Sequence, residues 1–314
     1  MKNFLIISGL LIISFNALCQ DTTYYNKDWN KVKKRKNPSY YRVKKYIRKT
    51  KVYYVEDFYI TGNKQMTGTF KSLDPDVKYG YFMWWYPNGQ ISKKGTYIEN
   101  NKEGTFYNWD SLGNLISEID YSKGQYNGLY CDWYKNGQLK DSYNYSFNKQ
   151  NGLYKSWYKN GQLKDSINYL YDKLNGVVVS FYNNGNILRN DLYMNDSLVK
   201  GACFTKNGND TTYFPYIEKA DFVRGLNGFR NYVQLKLYYP EDALRRGLQG
   251  IVYISFVVDT TGKVVNAKVV NSSNEIFNTS ALQAVESSPK WKPGKKNGKL
   301  VEMSFTIPVI YMFK

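Results

Sequence analysis

A 24-residue period constrains this chain more than any other feature. Gly80, Gly104, Gly128, Gly152 and Gly176 are each 24 residues apart, and so are Gly89, Gly113, Gly137, Gly161 and Gly185. Trp85, Trp109, Trp133, Trp157 and Phe181 form a third column, and Tyr97, Tyr121, Tyr145, Tyr169 and Tyr193 a fourth. Ile91, Leu115, Leu139, Leu163 and Ile187 make the fifth. Five columns in one phase mean stacked copies of one supersecondary unit, each contacting its neighbours. Partial copies precede the array at 59–70 and follow it at 201–213.

The unit reads as a hairpin. β-formers are dense in Leu153-Tyr-Lys-Ser-Trp-Tyr, and Asn160-Gly161 supplies residues suited to two positive-φ positions in a tight turn. Residues 162–169 then alternate back, and a second turn is expected to end at Asn175-Gly176. Two strands per copy advance a sheet by roughly 10 Å. The Trp and Gly columns are therefore expected to be architectural, with Trp157→Ala costing about 3–5 kcal/mol as a buried aromatic.

The period ends near residue 214 and a different grammar follows. Residues 221–233 and 239–246 read as helices, 251–258 and 263–271 as a hairpin turning at Asp259-Thr-Thr-Gly262, 274–288 as a helix, and 301–312 as a last strand interrupted by Pro308. The fold class is thus mainly β, an antiparallel hairpin-repeat ribbon followed by a small α+β domain. The expected organisation is 1–19 signal peptide, 20–51 basic segment, 52–213 repeat array with full copies over 81–200, and 214–314 terminal domain.

Charge and composition limit function. The net charge is +18, with a net +10 in residues 20–51 alone, while 52–214 is close to neutral. The basic segment reads as solvated chain leading into the first strand. The chain has no histidine, which removes Ser-His-Asp and Cys-His catalysis and His-ligated zinc. No nucleophile–base pair, metal cluster or phosphate-cradling glycine loop is visible, so neither an enzyme nor a cofactor nor a metal site is expected, and no small-molecule substrate is evident. Residues 1–19 resemble a secretory signal: Lys2, an apolar stretch over 4–18, and small residues Ala17 and Cys19 before a cut at Gln20. Fifteen apolar residues span roughly 22 Å, short of a ~30 Å bilayer core. Export to the periplasm or outer surface is expected, an inner-membrane anchor being the alternative, and nucleic acid is excluded as a partner. Cys131 and Cys203 then remain, three repeats apart and expected to stay unbridged.

The repeat pattern Gly-x4-Trp-Tyr-x-Asn-Gly-x5-Gly-x-Tyr resembles MORN-type repeats of the variant in bacterial YwqK-like proteins. Ile119, Tyr143, Ile167 and Asp191 replace the mid-strand Gly that the first copy keeps as Gly95. The terminal domain resembles the C-terminal domain of TonB through Tyr239-Pro240, Gly250-Ile-Val-Tyr-Ile-Ser-Phe-Val-Val-Asp, Gly262-Lys-Val, Ala281-Leu, Trp291-Lys-Pro-Gly294 and Phe305-Thr-Ile-Pro. That resemblance implies a periplasmic domain that binds the TonB box of an outer-membrane receptor, or another envelope protein, as a strand added to a sheet edge. The residues it points to are Val301, Met303, Ser304, Phe305, Thr306 and Ile307 on the last strand, with Tyr238 and Tyr239 beside the Pro. Lys295, Lys296 and Lys299 read as a basic loop. The competing reading makes the repeats the working surface and the terminal domain their cap.

Overall fold

The computed structural model describes residues 22–313. The expected signal segment lies outside them. The chain divides between Thr211 and Thr212 into two compact units. No helix among the described residues is long and apolar enough to cross a membrane.

The first unit is one antiparallel sheet of 19 strands. Its core is a line of side chains that meet across successive strands on one face. Phe82 pairs with Gly95, Phe106 with Ile119, Tyr130 with Tyr143, Tyr154 with Ile167 and Val178 with Asp191. The glycine of this line is a matter of volume. A Cβ at Gly95 would lie 2.5 Å from the Phe106 ring, and one at Gly68 2.2 Å from the Phe82 ring. Once the aromatic partner changes to Tyr130 or Val178, the site accepts isoleucine at 119 and 167. The Tyr column flanks this line: Tyr97 stands edge-on to Phe82 and Phe106, and Tyr121 edge-on to Phe106, with centroids 5.2–5.3 Å apart. Edge-to-face contacts at this spacing add to the burial energy.

The Trp column is not in this core. Trp85, Trp109, Trp133, Trp157 and Phe181 are all half-buried. A register shift falls between Trp84 and Trp85, and again between Ser156 and Trp157. The extra residue of each shift lies on the partner strand, and the Trp column is off the core face because Trp85 and Trp157 stand three residues after Phe82 and Tyr154, an odd step along one strand. Trp109 accordingly stacks on Tyr107 at 5.9 Å, two residues away, while Phe106 is buried. The large cost expected for Trp157→Ala belongs to the column three residues earlier.

The two turns are also of the opposite kind to those expected. At Asn160-Gly161 only the glycine has positive φ, +85°, and the Gly161 amide donates to the Tyr158 carbonyl at 2.9 Å. This is a type I turn closed by a left-handed glycine, the three-residue hairpin with its bulge. Gly89, Gly113, Gly137 and Gly185 repeat it, each amide bonding three residues back. The two-residue turns with both φ positive are Glu99-Asn100, Lys123-Gly124, Phe147-Asn148, Tyr171-Asp172 and Asn195-Asp196. Asn175-Gly176 is no turn: Gly176 lies inside the strand Lys173–Phe181 at φ +108°, opposite a register shift between Ile167 and Tyr169.

Copies are joined by side chains that reach one repeat forward or back. Tyr59, Tyr86, Tyr134, Tyr158 and Tyr182 each donate a phenolic hydrogen bond to the carbonyl of Trp85, Trp109, Trp157, Phe181 and Phe204 in turn, at 2.7–2.9 Å. From the other turns, the side-chain oxygens of Asn100, Asn148, Asp172 and Asp196 accept from the amides of Lys78, Tyr126, Gln150 and Leu174, all at 2.8 Å. Tyr158→Phe should therefore cost about 1 kcal/mol, the net value of one hydrogen bond, without altering the strand content seen by circular dichroism.

The basic segment is sheet rather than solvated chain. Thr22–Tyr25, Lys31–Val32 and Tyr40–Ile47 are strands, the last paired along its length with Val52–Tyr59. Arg42 is the reason. Its guanidinium grips both oxygens of buried Asp57 at 2.7 and 2.9 Å and reaches Asp76 at 3.1 Å. Trp29 stacks on Tyr40 at 4.5 Å and Tyr41 on Phe58 at 4.8 Å. Cys131 and Cys203 are both buried.

The second unit packs the helices Gly225–Lys236, Glu241–Arg245 and Asn278–Glu286 with a three-stranded sheet. Gly250–Val258 is the central strand, flanked by Val264–Ser272 and Met303–Tyr311. Phe229, Ile254, Phe256, Phe277 and Ile307 are fully buried between them. Two of the quoted motifs touch: the Trp291 amide donates to the Gly262 carbonyl at 2.8 Å. A Cβ at Gly262, whose φ is +84°, would come within 2.1 Å of the Trp291 carbonyl oxygen. Close backbone approach thus demands glycine there.

Candidate functional site

Met303–Tyr311 pairs with the central strand in an unbroken register from Met303↔Val258 to Tyr311↔Gly250. No strand pairs with its other side among the described residues. In an antiparallel ladder, N–H and C=O of one residue point to one neighbour and those of the next residue to the other. Two observations fix the phase here. Pro308 has no N–H to give, and the Ile310 carbonyl accepts from the Gln234 side chain at 3.2 Å. The even-numbered residues therefore face away from the central strand. Ser304 and Thr306 present their N–H and C=O groups, and Pro308 its C=O, along an open edge.

Side chains alternate in the same phase. Ile307, Val309 and Tyr311 are buried, and Met303 and Phe305 half-buried, on the helix-facing side, whereas Ser304 and Thr306 are exposed. Phe305 stacks on Phe256 at 5.7 Å and meets Trp291 at 5.2 Å. The Met303 sulfur accepts the Ala220 amide at 3.2 Å and rests against Gly294, where a Cβ would come within 2.4 Å. Of the strand residues singled out in the sequence, Met303, Phe305 and Ile307 hold the edge in place, while Ser304 and Thr306 have main chain to offer. Burial pushes the Tyr311 phenol up to about 12, so it stays a neutral donor, to the Phe277 carbonyl at 3.1 Å.

Val301 lies elsewhere. It ends Lys299–Val301, paired with Gly294–Lys296 in a separate small sheet that also holds Ile217–Glu218, and Glu302 interrupts the run before Met303. Nor are Lys295, Lys296 and Lys299 a loop. They form that hairpin around Asn297-Gly298, whose φ values of 52° and 74° give the two-residue turn that Asn-Gly favours. Lys295 pairs with Glu218 at 3.6 Å. Asn-Gly closes a three-residue loop in the repeats and a two-residue one here, because flanking registers set loop length.

Tyr238 and Tyr239 separate. Tyr239 belongs to the core: its ring stands edge-on to Phe277 and Tyr311, stacks on Phe313, and its hydroxyl donates to the Leu248 carbonyl. Tyr238 is 52% exposed and available to a partner. Gln234 was not legible in the sequence as part of the site, and Pro308 there marked only an edge.

Residues 236–313 match the family model described as Gram-negative bacterial TonB protein C-terminal, and residues 78–99 and 150–171 match the MORN repeat variant. Protein TonB of Pseudomonas putida is 39% identical over 77 residues, 23% of this chain and 31% of that protein. Protein TonB of Helicobacter pylori strain J99 is 35% identical over 83 residues, 26% of this chain and 28% of that one. The chain thus spans less than a third of the length of these curated relatives. The solution NMR structure of the Helicobacter pylori TonB C-terminal domain, residues 194–285, is 30% identical and covers 28% of this chain and 91% of its own, with a TM-score of 0.23.

Proposed function

We propose that this is an exported, non-enzymatic envelope protein whose C-terminal unit receives an extended segment of an outer-membrane receptor, or of another envelope protein, as a fourth strand on the edge at Ser304–Pro308. The repeat sheet serves as a stiff element that presents this unit. The open edge carries the reading: its two free N–H and three C=O groups suit β-augmentation, in which main-chain bonds supply affinity. The TonB family match supplies the class of partner, and exposed Tyr238 a contact outside the ladder. Coupling to energised transport is the further step that the resemblance suggests.

Thr306→Pro tests this directly. Proline is tolerated where an edge residue's N–H faces away from the sheet, as Pro308 already shows, so the variant should keep its fold. Binding of peptides from the periplasmic N-termini of outer-membrane receptors, followed by fluorescence anisotropy with the full chain, should weaken at least tenfold. Phe305→Pro is the contrast, since its N–H bonds the central strand, and it should unfold the unit. If no receptor peptide binds the native chain at millimolar concentration, the edge is not a docking site and the cap reading replaces it.

A further inference from the structure

Near the start of the array, positive charge sits on the face that elsewhere forms the core. Lys78, Lys93 and Lys102 are half-buried among aromatic rings. The Lys93 ammonium lies 4.4 Å from the centroid of Trp84, its cross-strand partner, and that of Lys78 lies 5.8 Å from the same ring and 5.0 Å from Tyr97. Lys102 stands 4.3 Å from the Tyr121 centroid and 5.2 Å from Phe106. None of the three makes a salt bridge among the described residues. Asp76 acts on Lys78, but the charges that act on Lys93 are Lys102 and Lys78. Burial holds all three amines below the ordinary lysine range, and these like charges push Lys93 further down. Ring faces offset part of the cost, about 0.5–1 kcal/mol for an exposed cation. Desolvated cations that no carboxylate offsets, Lys93 and Lys102, still work against folding, and such departures from local consistency concentrate at functional sites.

Clefts open on two of these lysines, Lys78 and Lys102. One of about 900 Å³ has Lys78 and Trp84 in its wall, and a second of about 550 Å³ has Lys102, Tyr97 and Tyr121 together with the amides of Asn101 and Asn148. Lys78 and Lys102 occupy equivalent positions 24 residues apart, so the cations recur at the repeat pitch of roughly 10 Å. Cations, aromatic faces and clustered amide and phenol groups are the partners of acidic substituents, apolar ring faces and hydroxyls respectively. We propose that this face binds an acidic saccharide chain, its anionic groups at Lys78, Lys93 and Lys102 and its sugar rings in the two clefts. The site is independent of the strand edge in the other unit.

Calorimetric titration of the full chain with oligogalacturonate and with dextran sulfate separates carboxylate from sulfate as the anionic group, and neutral dextran is the control. At least one acidic polymer should bind, more weakly as salt is raised, and neutral dextran should not. Lys93→Met and Lys102→Met should each weaken binding about tenfold, the value of a charge-assisted hydrogen bond. Each should also leave the melting temperature unchanged or raised, because a desolvated charge is removed. Should a methionine variant fail to fold, Lys93→Gln and Lys102→Gln are read in the same way. Undiminished binding in the double variant, equal binding of neutral dextran, or binding of anionic lipid vesicles without either acidic polymer would overturn the proposal.

Discussion

Phe106→Ala should destabilise the repeat sheet by about 3–5 kcal/mol, the range for deleting a buried aromatic side chain. Phe106 is 1% exposed. It covers Gly95 and stands edge-on to Tyr97 and Tyr121. Truncation would leave a hole that Gly95, having no side chain, cannot collapse into. Trp109→Ala, three residues on, should cost about 1 kcal/mol, as the Trp109 side chain is half-buried and stacks mainly on Tyr107. Denaturant midpoints followed by far-UV circular dichroism compare the two directly. Equal losses would mean that the Trp column shares the buried face with Phe106.

Breaking the Arg189–Asp191 pair should be comparably severe. Both side chains are 0% exposed and joined at 3.1 Å, and the guanidinium also reaches the Cys203 sulfur at 3.3 Å. Arg189→Ala removes the guanidinium from beside the buried Asp191 carboxylate, and removing one partner of a buried pair costs about 3–5 kcal/mol. The double variant Arg189→Met/Asp191→Ile should recover most of that loss. Position 191 is isoleucine in two other copies, at Ile119 and Ile167, and an apolar pair carries no desolvation penalty. The readout is a double-mutant cycle on thermal melting, in which a strongly non-additive recovery is expected. Additive losses would mean that the two groups act separately.

The same pair explains why the last copy departs from the repeat pattern. Arg189 occupies the slot that holds Asp165, Asp141 and Ser117 in earlier copies, and Asp191 the slot of Gly95 and Ile167. Both changed together, so the charge is matched inside the copy. Asp165 instead accepts from Ser156 and Ser180 at 2.8 and 2.6 Å. The polar row beside the aromatic line is thus satisfied copy by copy rather than by one conserved rule.

By itself, the sequence determined whatever depends on local chemistry and spacing. The 24-residue period, the hairpin unit, the change of grammar after residue 213 and the element order of the terminal domain all follow from side-chain alternation, turn residues and caps within a few positions. Pro308 likewise marked the last strand as an edge. Tertiary structure decided what depends on register. Folding chose which of two opposite faces forms the core: Phe82, Phe106 and Tyr154 fill it and the Trp column, three residues on, takes the other face, a choice that the shared 24-residue period leaves open. The same registers turn Asn160-Gly161 into a three-residue loop and place Val301 in a second sheet. The basic segment became strand because Arg42 finds Asp57 and Asp76, which lie 15 and 34 residues further along the chain. No local window contains those partners, and only folding brings the charges together.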